Sequence, residues 1–171
     1  MLYLRHLDPT LADRLDDEGW RRMHKAILTP ALSAPPGAMR GARDVLIDVK
    51  AVGLPIGLIS NAGVTPGVVL RRIMDDHGLL EHFAHTIFSD EVELAKPSPA
   101  IFEQALDAFG VEPGEAAFVG DQPVLDVLGP RNAGIWSIQI VDLSEDGIEP
   151  HARIASLDAL VPALRGLGLL D

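Results

Sequence analysis

The sequence predicts an α/β fold in which a mostly parallel sheet is covered by helices on both faces. Three observations carry that prediction. Short β-rich runs recur along the chain, stretches with helical spacing separate them, and the first three runs each end on a polar residue where a strand should meet a loop. The runs are PIGLIS (55–60), HTIFSD (85–90), AAFVGD (116–121) and WSIQIV (136–141). Ligands of such sheets bind outside the carboxyl ends of the strands, and those ends carry Ser60, Asn61, Asp90, Asp121 and Asp126.

Taken in order, residues 1–37 read as a short helical appendage and residues 38–171 as the sheet domain. The first segment is polar, with Trp20, Met23 and Ile27 at helical spacing, and SAPPG then breaks the chain. The spacing predicts that this helix packs against the sheet domain. AMRGARDVLIDVKAVG precedes the first strand as a helix. In PGVVLRRIMDDHGLL the stripe is Val69, Ile73 and Met74, and Gly78 ends it. In KPSPAIFEQALDAFGV, Ser98 can cap, Pro99 suits the first turn, and Ile101, Ala105, Leu106 and Phe109 form one face before Gly110. The last helix, SLDALVPALRGLG, should be kinked or shortened by Pro162.

With 171 residues the chain suits one domain with a proper core plus a small appendage. Asp and Glu number 25 against 14 Lys and Arg, a negative field that works against nucleic acid and anionic membranes as partners. The chain has no cysteine, which excludes disulfides and thiolate metal sites and fits a reducing cytoplasm. No apolar run nears the roughly 20 residues of a membrane span. A soluble, cytoplasmic protein is expected.

Three stretches carry candidate chemistry. FVGDQPVLD puts the carboxylates of Asp121 and Asp126 on one loop at a strand tip, hard oxygen ligands that suit Mg²⁺. The plain alternative is a helix cap and a surface acid. In LAKPSPAIF, Lys96 precedes a Pro-initiated helix and can present a point charge to a phosphate, or be an ordinary surface lysine. In GLISNAG, the Ser60 hydroxyl and the Asn61 backbone N–H can cradle a phosphoryl oxygen, or simply make a turn.

The order and spacing of the three together resemble motifs two, three and four of the haloacid-dehalogenase-like hydrolase superfamily. The similarity runs through GLPIGLISNAG, AKPSPAIFEQAL and AAFVGDQPVLDVLGPRNAGI, about residues 36–142. The resemblance implies a three-layer α/β/α sandwich with a Rossmann-like sheet, a short N-terminal cap remnant, and Mg²⁺-dependent hydrolysis of a small phosphorylated molecule through an aspartyl-phosphate. It further implies that Ser60 and the Asn61 backbone bind phosphate, Lys96 balances charge between nucleophile and phosphate, and Asp121 and Asp126 hold or orient the metal. Positioning and electrostatics dominate phosphoryl transfer, so these roles are chemically coherent.

The family's first motif, Asp-x-Asp-x-Thr/Val on the central strand, is not intact. In one reading LYLRHLDPTLAD is a degenerate copy, with His6 in the nucleophile's place, Asp8 as the acid/base and Thr10 following. In the other, favoured because Arg5 and Pro9 suit a buried strand tip poorly, the first strand lies ahead of Met1. The second reading leaves a gap in the sheet. Residues 1–5 would fill it, or a partner chain would supply a strand, giving a homodimer by strand exchange. With the nucleophile missing, a non-catalytic phosphate- or Mg²⁺-binding regulatory domain is the alternative function. A response-regulator receiver is disfavoured, because there the acid pair comes early and the lysine late. At about 35 residues, the appendage is short for a family cap, so Trp20, Met23 and His24 are expected to pack rather than form a lid. His77, His82, His85 and His151 lack ligand spacing and read as surface or loop residues, while Asp90 and Glu91 could approach the metal or cap a helix.

Overall fold

The computed structural model describes residues 10–63, 65–140 and 147–170. Its strands are β1 (Gly57–Ser60), β2 (His85–Phe88), β3 (Ala117–Gly120), β4 (Trp136–Ile140) and β5 (Ala152–Ile154). Its α-helices are α1 (Leu11–Arg14), α2 (Asp17–Ser33), α3 (Ala42–Ala51), α4 (Gly67–Asp76), α5 (Ser89–Val92), α6 (Pro99–Phe109), α7 (Gly129–Asn132) and α8 (Leu160–Gly166). All pairings are parallel. The described strands form two sheets, β1-β2 and β3-β4-β5.

Strand alternation assigns the two faces. On β3, Ala117 and Val119 pack into one cluster with Val45 and Val49 of α3 and Leu160 and Leu164 of α8. Phe118 between them joins the opposite cluster, with Ile101, Phe102 and Leu106 of α6 and with Ile59 and Ile87 of β1 and β2. Successive side chains on a strand point to opposite faces, so helices lie on both sides of the strands. The result is the layered α/β arrangement that the strand-helix rhythm predicts. The sequence runs overestimate strand length, since β1 starts only at Gly57 and β2 gives way at Ser89 to α5. The edge strand β5 was not predicted, because three residues with an exposed Arg153 in the middle carry almost no periodic signal.

The local signals meet mixed outcomes. Ser98 stands at the N-cap of α6 but its side chain makes no capping bond, and Pro99 at the first position is what starts the helix. Gly110 ends α6 at φ 65°, the left-handed conformation that Gly adopts without steric penalty. Of the two outcomes expected of Pro162, the last helix is shortened rather than kinked, running only from Leu160 to Gly166. Pro162 falls in the first turn of α8, where N–H groups have no intrahelical partner anyway, and a 3₁₀ turn at Leu157–Ala159 precedes it. At the front of the molecule the Asp16 carboxylate caps α2 by accepting from the Gly19 N–H at 2.7 Å. Helix α2 packs against α4, with Trp20 and Met23 half-buried. His77 Nε2 lies 3.1 Å from the Pro36 carbonyl, tying the link after α2 to the end of α4. No described helix is long and apolar enough to cross a membrane.

Candidate functional site

Side chains from three loops meet just beyond the strand tips. Ser60 ends β1 half-buried, and Asn61 follows it, exposed. The loop that they open is pinned twice to the residues after β2. The Ala62 N–H donates to Ser89 Oγ at 2.9 Å, and the Gly67 N–H donates to the Asp90 carboxylate at 3.2 and 3.1 Å. Asp90 thus serves the start of α4, where the helix dipole favours an anion. Of the two roles open to Asp90, the structure shows this one.

Lys96 connects the loops. Its main-chain N–H donates to Asn61 Oδ1 at 2.8 Å, and its carbonyl accepts from Asn61 Nδ2 at 2.9 Å. Its Nζ lies 2.7 Å from Asp126 Oδ1, and the two side chains are only 10% and 4% exposed. The ammonium also sits 5.0 Å from the centroid of the Phe118 ring, a favourable cation–π contact. Asp126 Oδ2 accepts from the Gln122 N–H at 3.0 Å, so both carboxylate oxygens have partners. A charge pair so far from water depends on further partners, here the Gln122 N–H for the carboxylate and the Phe118 ring for the ammonium.

The backbone that delivers Asp126 is unusual. Pro123–Leu128 forms a π-helical turn, closed by the Gly129 N–H on the Val124 carbonyl, and it buries Asp126 over the end of β3. Turns of this kind are frequent at functional sites. The approach is close enough to require a glycine beneath it, for a Cβ on Gly120 would lie 2.4 Å from the Asp126 carboxyl carbon.

Asp121, the first residue past β3, is exposed and has no hydrogen-bond partner among the described residues. It is therefore the carboxylate of the pair with oxygens open to a cation. No group of three or more His, Asp or Glu residues that could hold a metal occurs among the described residues. Mg²⁺ is commonly bound by one or two carboxylates, with water and substrate phosphate completing its shell. One open carboxylate at a strand tip fits that habit.

Glu91 does not reach this cluster. It pairs with Arg71 through both carboxylate oxygens, and Arg71 also donates to Thr86 Oγ1 at 3.0 Å and lies over the Phe88 ring. Hydrogen bonding to Arg71 holds the Glu91 carboxyl below its ordinary range and pushes the guanidinium up. His77, His82, His85 and His151 make no bond to the site residues, but they are not all at the surface. The His82 side chain is 10% exposed, which corrects the surface expectation. His151 Nδ1 accepts the Ser137 N–H at 3.0 Å, and burial lowers its pKa.

Of the residues singled out in the sequence, Asn61, Lys96 and Asp126 are joined by direct bonds, with Ser60 adjacent to the first and Asp121 at the tip of β3. Asp8 and His6 lie outside the described residues. Sequence reasoning missed Ser89 and the Gln122 N–H. A hydroxyl just after a β-rich run was the available signal for Ser89; a backbone donor leaves none.

Residues 4–134 match the family model for haloacid dehalogenase-like hydrolase. A phosphoserine phosphatase of Thermus thermophilus is 36% identical over 130 residues, 76% of this chain and 49% of that protein. A glyceraldehyde 3-phosphate phosphatase of Pyrococcus abyssi is 37% identical over 100 residues, 57% of this chain and 40% of that protein. The chain thus spans about half the length, or less, of these relatives. A HAD phosphatase crystal structure from Thermococcus onnurineus shares the fold with TM-score 0.64 and 24% identity, over 88% of this chain and 81% of that one. The strand-tip arrangement of Ser60, Lys96 and Asp126 and the family match over residues 4–134 agree, and the chain belongs to the haloacid dehalogenase-like hydrolases.

Proposed function

We propose that this chain forms the core of a Mg²⁺-dependent phosphatase that acts on a small phosphorylated metabolite. The observation that carries the reading is the Lys96 ammonium, held against Asp126 at the strand tips with its charge shielded from water. A phosphoryl group beside it would meet the Ser60 hydroxyl and the Asn61 N–H as donors and Lys96 as counter-charge. Donors fixed before the substrate arrives need no reorganisation as charge develops in the transition state. Asp126 would keep Lys96 in place, and Asp121 would anchor the metal, with Asp126 behind it orienting the loop. Bound there, Mg²⁺ supplies neutralisation of phosphate charge. If LYLRHLDPTLAD is a degenerate copy of the first motif, Asp8 would be the acid/base by resemblance. Support for phosphate chemistry comes from relatives named as phosphatases of phosphoserine and glyceraldehyde 3-phosphate. A cytoplasmic setting accords with the lack of cysteine.

The second reading is a phosphate- and Mg²⁺-binding domain without turnover. It is favoured by the engagement of both Asp126 oxygens, which leaves Asp121 as the one open carboxylate of the described site. The separation of β1 from β3 also keeps open a strand supplied by a second copy as a homodimer. A screen of phosphorylated metabolites, run on this chain and on a version preceded by an Asp-x-Asp strand, tests the proposal. Mg²⁺-dependent phosphate release by either supports the phosphatase. Release by neither, with Mg²⁺ and phosphate still binding in calorimetry, replaces it with the second reading.

A further inference from the structure

We infer that the Asn61 carboxamide is a positioning residue that sets where the Lys96 ammonium sits. The inference rests on the phosphoryl-pocket reading for its functional meaning, but not for its test.

Lys96 occupies a loop rather than a strand or helix, and its main-chain N–H and carbonyl have no backbone partner among the described residues. Both are taken by one side chain, Asn61, from 35 residues away. An amide side chain carries a donor and an acceptor side by side, and it can therefore pair with the N–H and the carbonyl of a single residue as a neighbouring strand would. Asp offers only the acceptor half of that pairing. Gln has the same amide on a stem longer by one methylene, which would push the Lys96 main chain away from β1.

The pairing lies at the root of the lysine side chain. At the other end Nζ is fixed by Asp126 at 2.7 Å, and Asp126 is fixed by the Gln122 N–H. The side chain is thus held at both ends, and the loops after β1, β2 and β3 are tied into one unit. Asn61 directly follows Ser60, so the same short turn sets both the hydroxyl and, through its carboxamide, the ammonium. Asn61 thereby has two separable parts: its backbone N–H, already assigned to the phosphoryl group, and its side chain, assigned here to Lys96.

The experiment uses the full chain with ¹³C-labelled lysine. The only lysines are Lys25, Lys50 and Lys96, and the first two are exposed, so the ε-methylene signal of Lys96 is read against two internal standards. In Asn61→Ala the Lys96 signal should move toward those of Lys25 and Lys50, and exchange of its amide hydrogen should accelerate about tenfold as its bond is lost. Asn61→Asp, which keeps the acceptor, should fall between. The Trp136 indole N–H, bonded to the Gly114 carbonyl at 3.0 Å, reports that each variant is folded. Should Asn61→Ala not fold, Asn61→Asp decides by itself: an intermediate signal supports the clasp and a wild-type signal overturns it.

Orthophosphate affinity with Mg²⁺ supplies the functional arm. Asn61→Ala should weaken it in the wild type, but not further in a Lys96→Met background. An equal loss in both backgrounds would mean that Asn61 acts independently of Lys96, which overturns the inference. If the wild type binds no phosphate, the phosphoryl pocket fails while the lysine signals still decide the clasp.

Discussion

Two ion pairs each join segments distant in the chain, and they differ mainly in how much water each retains. Arg71–Glu91 is 31% and 36% exposed, and Lys96–Asp126 is 10% and 4% exposed. The first spans α4, β2 and α5, with Arg71 also bonded to the Thr86 hydroxyl and carbonyl. Its partners remain partly solvated, so neither charge depends on the other to be tolerated. The second has given up nearly all of its hydration, and each partner requires the other. Removing half of a buried pair strands the remaining charge, which a surface pair avoids. The contrast separates a bond that fastens secondary structure from one that fixes a charge in space.

The sharpest way to break that contrast is Asp126→Ala. It leaves a nearly buried ammonium without its counter-charge and should cost roughly 3 to 5 kcal/mol in urea unfolding. A loss no larger than that of a surface substitution would show that Lys96 swings out to water and that the pair is not structurally coupled. Next in size is Gly120→Ala, whose Cβ would overlap the Asp126 carboxyl and should cost about 1 to 3 kcal/mol by overpacking while displacing the Lys96 bond. A fully stable variant with an unmoved Lys96 signal would refute the close approach.

Glu91→Gln, the matching change at the solvated pair, should cost no more than about 1 kcal/mol. That pair also has a pH signature. The Glu91 carboxyl is held below its ordinary value of 4.5, chiefly by its hydrogen bond to Arg71. Its contribution to stability is therefore complete above about pH 4.5 and is lost as pH falls through the folded-state value. Glu91→Gln should flatten that part of the stability curve.

The smallest expected effect is at His151. Burial, and then Arg131, lowers its pKa from 6.5, and the ring nitrogen that accepts the Ser137 N–H must be unprotonated to do so. The folded value lies below the unfolded one, so stability is full above pH 6.5 and declines as pH falls below it. Thermal unfolding of His151→Gln between pH 5 and about 8 should lack that slope.

Strands β1 to β4 and the longer helices between them, α4 and α6, were legible because alternation and 3.6-residue spacing are properties of neighbours along the chain, whereas the four-residue helices α5 and α7 are too short to show a period. Ser60, Lys96, Asp121 and Asp126 were legible because their order and spacing match a family pattern. What Asn61 does with its side chain was not, since Asn before Ala-Gly also reads as a turn, and nothing local distinguishes a carboxamide in water from one bonded to a lysine's main chain. The π-helical turn was equally hidden, because the Pro at its start and the apolar residues within it also suit an α-helix.

The sequence by itself determined the layered parallel architecture, the negative surface and the residue types gathered at the strand tips. Tertiary structure alone decided that Asp126 faces Lys96 while Asp121 faces water, and that Asp90 and Glu91 serve α4 rather than the site. The reason is that residue type is written locally. The water around a charge, and hence what that charge can do, depends on which distant segments are packed over it.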